Sequence, residues 1–325
     1  MPFESPGRRA VAAGMAALLA AGWPVRTGRE AVPPPRPPTE LYVERTGPAV
    51  EQLRAYEAAG RTTEAGLLRK IASRPVAAWF ADSDTARVSQ VVTAARSFIP
   101  VLTLYYIPHR DCASHSAGGA PTAAAYKAWI DTVAAALTGH RAIVILEPDA
   151  VAQSVQGCLS PAQRAERHRL LSRAITTLTA NPGLSVYLDG GNPTWIADTA
   201  TMSGALRRAG IARADGFALN VANFETTSSN IRYGTRLSRR LGGAHFVIDT
   251  SRNGNGPARR SSGDRHWCNP PGRALGNPPT LTTGHDLVDA YLWIKRPGES
   301  DGACGRGAPP AGTWWPTYAL ELAAG

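Results

Sequence analysis

Five apolar segments of this chain lead into an aspartate: VLTLYYIPHRD at Asp111, AIVILEPD at Asp149, LSVYLD at Asp189, AHFVID at Asp249 and AYLWIKRPGESD at Asp301. A carboxylate just past a buried strand adds little to a core, but several gathered at one mouth can move protons. Glu147-Pro148-Asp149 sets an acid directly beyond an apolar run. Partial desolvation there can hold a carboxyl protonated near neutral pH, as a general acid requires. Asp111, on a neighbouring segment, can raise that pKa further by like-charge repulsion. Asp301 sits in a Gly-containing loop with Lys295 and Glu299. Two carboxyls facing each other across a cleft are the minimum equipment for hydrolysing a glycosidic bond. A single aspartate at a loop start is more often a cap or an Asx turn, so the reading rests on the group.

The elements that must carry these residues alternate from Pro75 onward. Strands are expected at 76–80, 101–106, 142–146, 184–188, 216–221, 244–248 and 290–294, all short, apolar and rich in β-branched residues, as buried parallel strands are. A helix over 122–137 places Tyr126, Trp129, Ile130, Val133 and Leu137 on one face. Ser160-Pro161-Ala162-Gln163 reads as a capping box with Pro at the first helical position, and Leu170, Leu171, Ala174, Ile175 and Leu178 form the stripe of the helix it opens. The expected fold class is α/β, a distorted, TIM-barrel-like (β/α) barrel of about seven parallel strands, with the site at the C-terminal strand ends. Asn220 and Asn223 fall at that mouth too, and Asn220 is expected to bind substrate. A doubly wound open sheet would show a Gly-rich first turn, and none follows Trp79-Phe80.

Length and composition fit one large domain: 325 residues, 43% hydrophobic and 18% charged. The formal charge is +10, with Arg scattered along helices and no nucleic-acid-binding motif beside it, so solvated helix faces are expected and no nucleic-acid partner. The seven His show no HxH or HExxH pattern and the four Cys no CxxC, so no metal or other cofactor is expected. Cys112 and Cys158 follow strands of adjacent βα units, and Cys268 and Cys304 flank the last strand. We pair them Cys112–Cys158 and Cys268–Cys304, which requires an oxidising compartment. Arg8-Arg9 precedes an Ala/Leu-rich run over 10–23, shorter than the ~20 residues of a spanning helix. Residues 1–31 are therefore expected to be a secretory signal or an uncleaved membrane tether, 32–40 a Pro-rich spacer, and 41–325 the catalytic domain of a secreted or extracytoplasmic monomer.

Six stretches carry a specific resemblance, in order along the chain: Tyr105-Tyr-Ile-Pro-His-Arg-Asp-Cys112, Leu146-Glu-Pro-Asp149, Tyr187-Leu-Asp-Gly-Gly191, Ile248-Asp-Thr-Ser-Arg-Asn-Gly-Asn-Gly-Pro257, Trp267-Cys268-Asn-Pro-Pro-Gly272 and Trp293-Ile-Lys-Arg-Pro-Gly-Glu-Ser-Asp-Gly302. Together they resemble glycoside hydrolase family 6, the inverting cellulases, from about Val76 to the end. The resemblance implies cleavage of β-1,4-glucan with inversion, and its two disulfides fall where these cysteines are. It implies that Asp149 is the general acid, that Asp111 keeps it protonated and helps relay a proton, and that Asp301 is the candidate base. It places Tyr105 against the distorted sugar, Ser116 beside the attacking water, Lys295 and Glu299 on sugar hydroxyls, and Asp189 and Asp249 in support behind the site. Trp79, Trp195 and Trp267 match its stacking platforms; Trp129 and Trp293 read as core, and Trp314-Trp315 as packing at the barrel bottom or edge. Where the family commonly has a His, this chain reads Asn192, which can bond a sugar but carries no charge. The 285 residues from Leu41 to Gly325 are compact for the family. An open cleft and internal cleavage are expected, with an exo-acting enzyme or a weak glucan-binding protein on the same barrel as alternatives.

Overall fold

The computed structural model describes residues 40–259 and 266–325. The expected signal or tether (1–31) and nearly all of the Pro-rich spacer lie outside the described residues. Seven parallel strands pair in chain order: β1 Ala78–Phe80, β2 Val101–Leu104, β3 Ala142–Leu146, β4 Leu184–Asp189, β5 Gly216–Leu219, β6 His245–Asp249 and β7 Val288–Leu292. The pairing register is set by apolar runs, with Ile143 opposite Val101 on one side and Ser185 on the other. Among the described residues no strand ladder joins β7 back to β1. Instead the Ala77 N–H donates to the Trp293 carbonyl at 3.0 Å and Trp79 Nε1 donates to the Ile294 carbonyl at 2.7 Å. The sheet is thus a curled barrel with a seam, in line with the expected distorted barrel of about seven parallel strands.

Both faces of the strands are buried, which is why they read as continuous apolar runs. Ile143, Ile145, Val101, Val247 and Leu292 pack together inside the curl. Val144, Leu146, Leu102, Leu104 and Ile248 face the helices outside it. Those helices begin with α1 Pro48–Ala58 and α2 Thr62–Ala72, which precede the alternation read from the sequence. The α/β alternation then supplies α3 Ala86–Ala95, α4 Ala123–Ala136, α5 Ala150–Gln156, α6 Pro161–Thr179, α7 Thr199–Arg208 and α8 Thr227–Arg240, and the chain closes on α9 Pro316–Ala324. Leu68 and Ile71 of α2 pack with Ala319 and Ala323 of α9, and the partly buried Trp314 joins that cluster at the barrel edge. Thr122 caps α4 by accepting from the Ala125 N–H at 3.1 Å, and the Ser160–Gln163 box at the start of α6 is complete in both directions.

β2, β5 and β7 end two residues short of expectation at their mouths, and for β2 and β7 carboxylates are the reason. Beyond Leu104 the Tyr106 and Ile107 N–H groups leave the ladder and donate to the Glu147 carboxylate at 3.0–3.1 Å. Beyond Leu292 the Ile294 and Lys295 N–H groups donate to Asp249 at 3.3 and 2.9 Å. Two of the five aspartates, Asp189 and Asp249, are the last residue of a strand. Asp111 lies in a short 3-10 turn, Asp111–Ala113, and Asp301 lies in the loop beyond β7. The reading of each aspartate as lying just past a strand is corrected accordingly.

Candidate active site

Asp149 closes the turn from β3 into α5. Glu147 and Asp149 both adopt positive φ, 49° and 69°, outside the range that non-glycine residues favour. The Asp149 N–H donates to Asp189 Oδ2 at 2.9 Å, and Gly191 N–H donates to the same oxygen at 3.2 Å. Asp189, 1% exposed, therefore has two donors. The Tyr105 hydroxyl donates to Asp149 Oδ2 at 3.2 Å. Burial pushes the Asp149 carboxyl well above the ordinary carboxylate range, and repulsion from Asp189 and Asp111 adds to it. Burial also raises Asp189, to about 7, against the pull of its two N–H donors. The two carboxyls compete for one charge, and the better-bonded Asp189 keeps it. Asp149 is then the protonated member, as proton donation requires.

Asp111 stands on a loop that turns through positive φ at His109, Asp111 and Cys112. Arg110 clamps this loop: its Nη1 donates to the Ala81 and Tyr105 carbonyls, both at 2.6 Å, and its Nε to the Ser116 carbonyl at 2.7 Å. The Cys112–Cys158 disulfide fastens it to the segment before α6. The Asp111 carboxylate accepts from the Ser116 N–H at 2.7 Å and from Gln153 Nε2 at 3.3 Å. Burial raises its pKa, while the Ser116 N–H, His115, Arg110 and Gln153 pull the other way. Ser116 is half-buried and lines the same cavity as Asp111.

Asp301 has a different setting. Its Oδ2 accepts from Arg252 at 2.8 Å and from the Asn269 N–H at 3.0 Å, and Lys295 Nζ stands 3.6 Å from its Oδ1. Burial pushes this carboxyl up, but the two cations outweigh it and hold it below the usual value. Arg252 is fully buried, stacks on Phe224 at 4.3 Å and donates to the Ala222 carbonyl. Lys295 also donates to the Ser300 carbonyl at 2.9 Å, and Glu299 pairs with Arg296 at 3.1 Å. The Cys268–Cys304 disulfide ties the Trp267 loop to the Asp301 loop.

Two cavities, of about 390 and about 730 Å³, share Asp111, Asp149 and Trp267. The smaller is lined by Trp79, Tyr105, Lys295, Glu299 and Asp301, among others. The larger is lined by Trp195, Asn192 and Gln153, among others. Trp79 meets Tyr105 edge to face at 5.5 Å, and Trp267, 36% exposed, packs on His115 at 5.9 Å. Trp129 and Trp293 are buried, as read from the sequence. Asn192 Oδ1 accepts from the Thr194 N–H and hydroxyl and from the Trp195 N–H, each at 3.0 Å, so it shapes the loop that presents Trp195.

Asn220 follows β5 at the mouth, but its side chain does not face the cleft. It is fully buried, with Nδ2 donating to the Asp249 carbonyl at 2.8 Å and Oδ1 accepting from the Glu225 N–H at 3.0 Å. A side chain with both amide atoms spent inside the fold supports the site without meeting a sugar. Asp249 likewise accepts from four backbone N–H groups, of Ala222, Ser251, Ile294 and Lys295, and so knits the mouths of β5, β6 and β7 together. The residues missed in the sequence are three arginines, an imidazole and an amide: Arg252, Arg110, Arg167, His115 and Gln153. For Arg252 a signal existed, since an Arg between strand-end carboxylates has charge to neutralise there.

A curled parallel barrel whose mouth holds carboxyls and indole rings along a two-armed cleft defines the class of barrel glycoside hydrolases. The chain belongs to glycosyl hydrolase family 6: the profile of that family, Glycosyl hydrolases family 6, matches residues 37–325. Endoglucanase A of Cellulomonas fimi is 44% identical over 298 residues, which cover 89% of this chain and 62% of that protein. Endoglucanase 1 of a Streptomyces species (strain KSM-9) is 41% identical over 268 residues, covering 80% of this chain and 72% of that protein. The solved endoglucanase Cel6 of Mycobacterium tuberculosis, in complex with a methyl-cellobiosyl thiocellobioside, superposes with a TM-score of 0.81 at 44% identity, covering 88% of this chain and 97% of that one.

Proposed function

We propose that this protein is an inverting endo-β-1,4-glucanase acting on cellulose-like glucan outside the cytoplasm. The observation that carries the reading is the place of Asp149. It is held protonated by burial and by Asp189 and Asp111, at the junction of two cavities lined by indole rings. A glucan threaded along both arms would bring a glycosidic oxygen to the one carboxyl able to donate a proton. Bond breaking leaves an oxocarbenium-like centre, and inversion needs a water on the opposite face. The water's proton passes toward Asp111, whose raised pKa makes it the better acceptor. Asp301 remains ionised beside two cations and supports the site through charge. This assignment departs from Asp301 as the base, because its oxygens are already committed to Arg252, Asn269 and Lys295. Trp79, Trp195 and Trp267 serve as sugar platforms, with Tyr105, Ser116, Lys295 and Glu299 around the reacting unit. The two disulfides suit an oxidising compartment and so favour export.

Endo action is favoured over exo by the relatives at 41–44% identity, which are named endoglucanases, whereas a named cellobiohydrolase of Pyricularia oryzae stands at 29%. On carboxymethyl-cellulose, the viscosity should collapse while few reducing ends have formed. Slow viscosity loss with cellobiose as the main product would instead show exo action.

A further inference from the structure

Arg167, in α6, is 2% exposed, and its guanidinium ends on oxygens around the Asp111 loop. Its Nη2 donates to the carbonyls of Pro108 at 3.0 Å and His109 at 2.6 Å. Its Nη1 donates to Gln153 Oε1 at 3.1 Å and to the Ala150 carbonyl at 3.4 Å. Gln153, itself 5% exposed, passes the contact on, its Nε2 donating to Asp111 Oδ1 at 3.3 Å. A guanidinium only donates and an ionised carboxylate only accepts. The Gln153 amide therefore has one workable orientation, oxygen toward Arg167 and NH2 toward Asp111. The flipped amide would set NH2 against the guanidinium and oxygen against the carboxylate. Arg167 also holds the carbonyls at the foot of a loop that bends through positive φ at His109, Asp111 and Cys112.

We infer that Arg167 is a positioning residue for Asp111, acting through Gln153. It fixes the amide so that a donor always faces the carboxylate, and it pins the loop that carries that carboxylate. The inference rests on the reading of Asp111 as the working carboxylate of a glucan hydrolase. The charged and titratable groups facing Asp111 are Arg110 and His115 of its own loop, Asp149 at the start of α5 and Tyr105 beyond β2. Those facing Arg167 are Glu147 and Asp149 of the turn into α5, Tyr105, and Tyr126 of α4.

A donor to the ionised carboxylate favours ionisation, so removing it raises the Asp111 pKa. Asp111 must be ionised both to repel charge on Asp149 and to accept a proton, so the acidic limb of kcat/KM must move to higher pH. The test is the pH profile of kcat/KM on cellohexaose for the intact chain, Gln153→Leu, Arg167→Met, Arg167→Lys and the Gln153→Leu/Arg167→Met pair, with Tm measured alongside. Gln153→Leu and Arg167→Met should each move the acidic limb up by about one unit. The pair should move it no further than Arg167→Met alone, and Arg167→Lys should recover part of the shift. A lowered Tm with an unmoved limb in Arg167→Met would overturn the inference and leave Arg167 a structural residue. Shifts that add in the pair would also overturn it, because the two residues would then act separately. If Arg167→Met does not fold, unmoved limbs in both Gln153→Leu and Arg167→Lys overturn it. An inactive parent chain would count against the hydrolase reading itself, a different outcome from an active parent with unmoved limbs.

Discussion

Asp149→Asn should abolish hydrolysis of cellohexaose, with kcat falling by roughly 10²–10⁴-fold, while binding of the glucan survives. The asparagine amide fills the same space but has no acidic proton to give to the departing glycosidic oxygen. The loss should be smaller on an activated aryl cellobioside, whose leaving group needs little protonation, and that contrast separates a lost acid from a distorted site. The same carboxyl fixes a pH dependence. Burial and its neighbours raise its pKa, so the protonated form persists to higher pH than for an ordinary aspartate, and kcat/KM falls as pH rises through that raised value. Isothermal titration with cellotetraose, beside turnover on both substrates, reads the whole prediction. Near-normal turnover on cellohexaose by Asp149→Asn would remove Asp149 from the role of acid.

Asp301→Ala should cost stability first. Arg252 is fully buried, and its salt bridge at 2.8 Å is to Asp301. Removing the carboxylate strands that cation beside Lys295, and breaking a buried pair from one side costs about 3–5 kcal/mol. In a domain of this size the expected fall in Tm is of order 10 °C. Replacing the cation as well, in an Asp301→Ala/Arg252→Met variant, should recover part of that fall, because Lys295 is then the one cation of the cluster left without the carboxylate. Differential scanning calorimetry of the two variants checks it. If the folded double variant still loses turnover to the same degree as Asp149→Asn, the water is activated at Asp301 and not through Asp111.

The strands and the acid were legible because they rest on local signals. Continuous apolar runs marked β3 and β4 within one residue, and a complete capping box marked the start of α6. What stayed hidden is what long-range hydrogen bonding decides. Asp189 and Asp249 end strands as expected, yet they accept backbone N–H groups from beyond other strands, of Asp149 for Asp189 and of Ala222 and Lys295 for Asp249. Asn220 looked like a sugar contact because it follows a strand, but partners 5 and 29 residues away draw it inside. Arg167 was invisible among the many arginines, since composition cannot tell a buried guanidinium from a solvated one, and Arg252 was marked only by its place between strand-end carboxylates. The α1 helix buries Tyr56 alone, too thin an apolar stripe to announce itself.

The central claim is that Asp149 donates a proton across a cleft that admits a water on the far side of the sugar. Digestion of cellohexaose followed by proton NMR from the first minutes tests it most directly. The account predicts fresh reducing ends in the α configuration, before mutarotation, with cellotriose, cellobiose and cellotetraose all formed from internal cuts. Fresh ends in the β configuration would contradict it, because retention requires a carboxylate nucleophile and a covalent intermediate where the account has a water attacking directly.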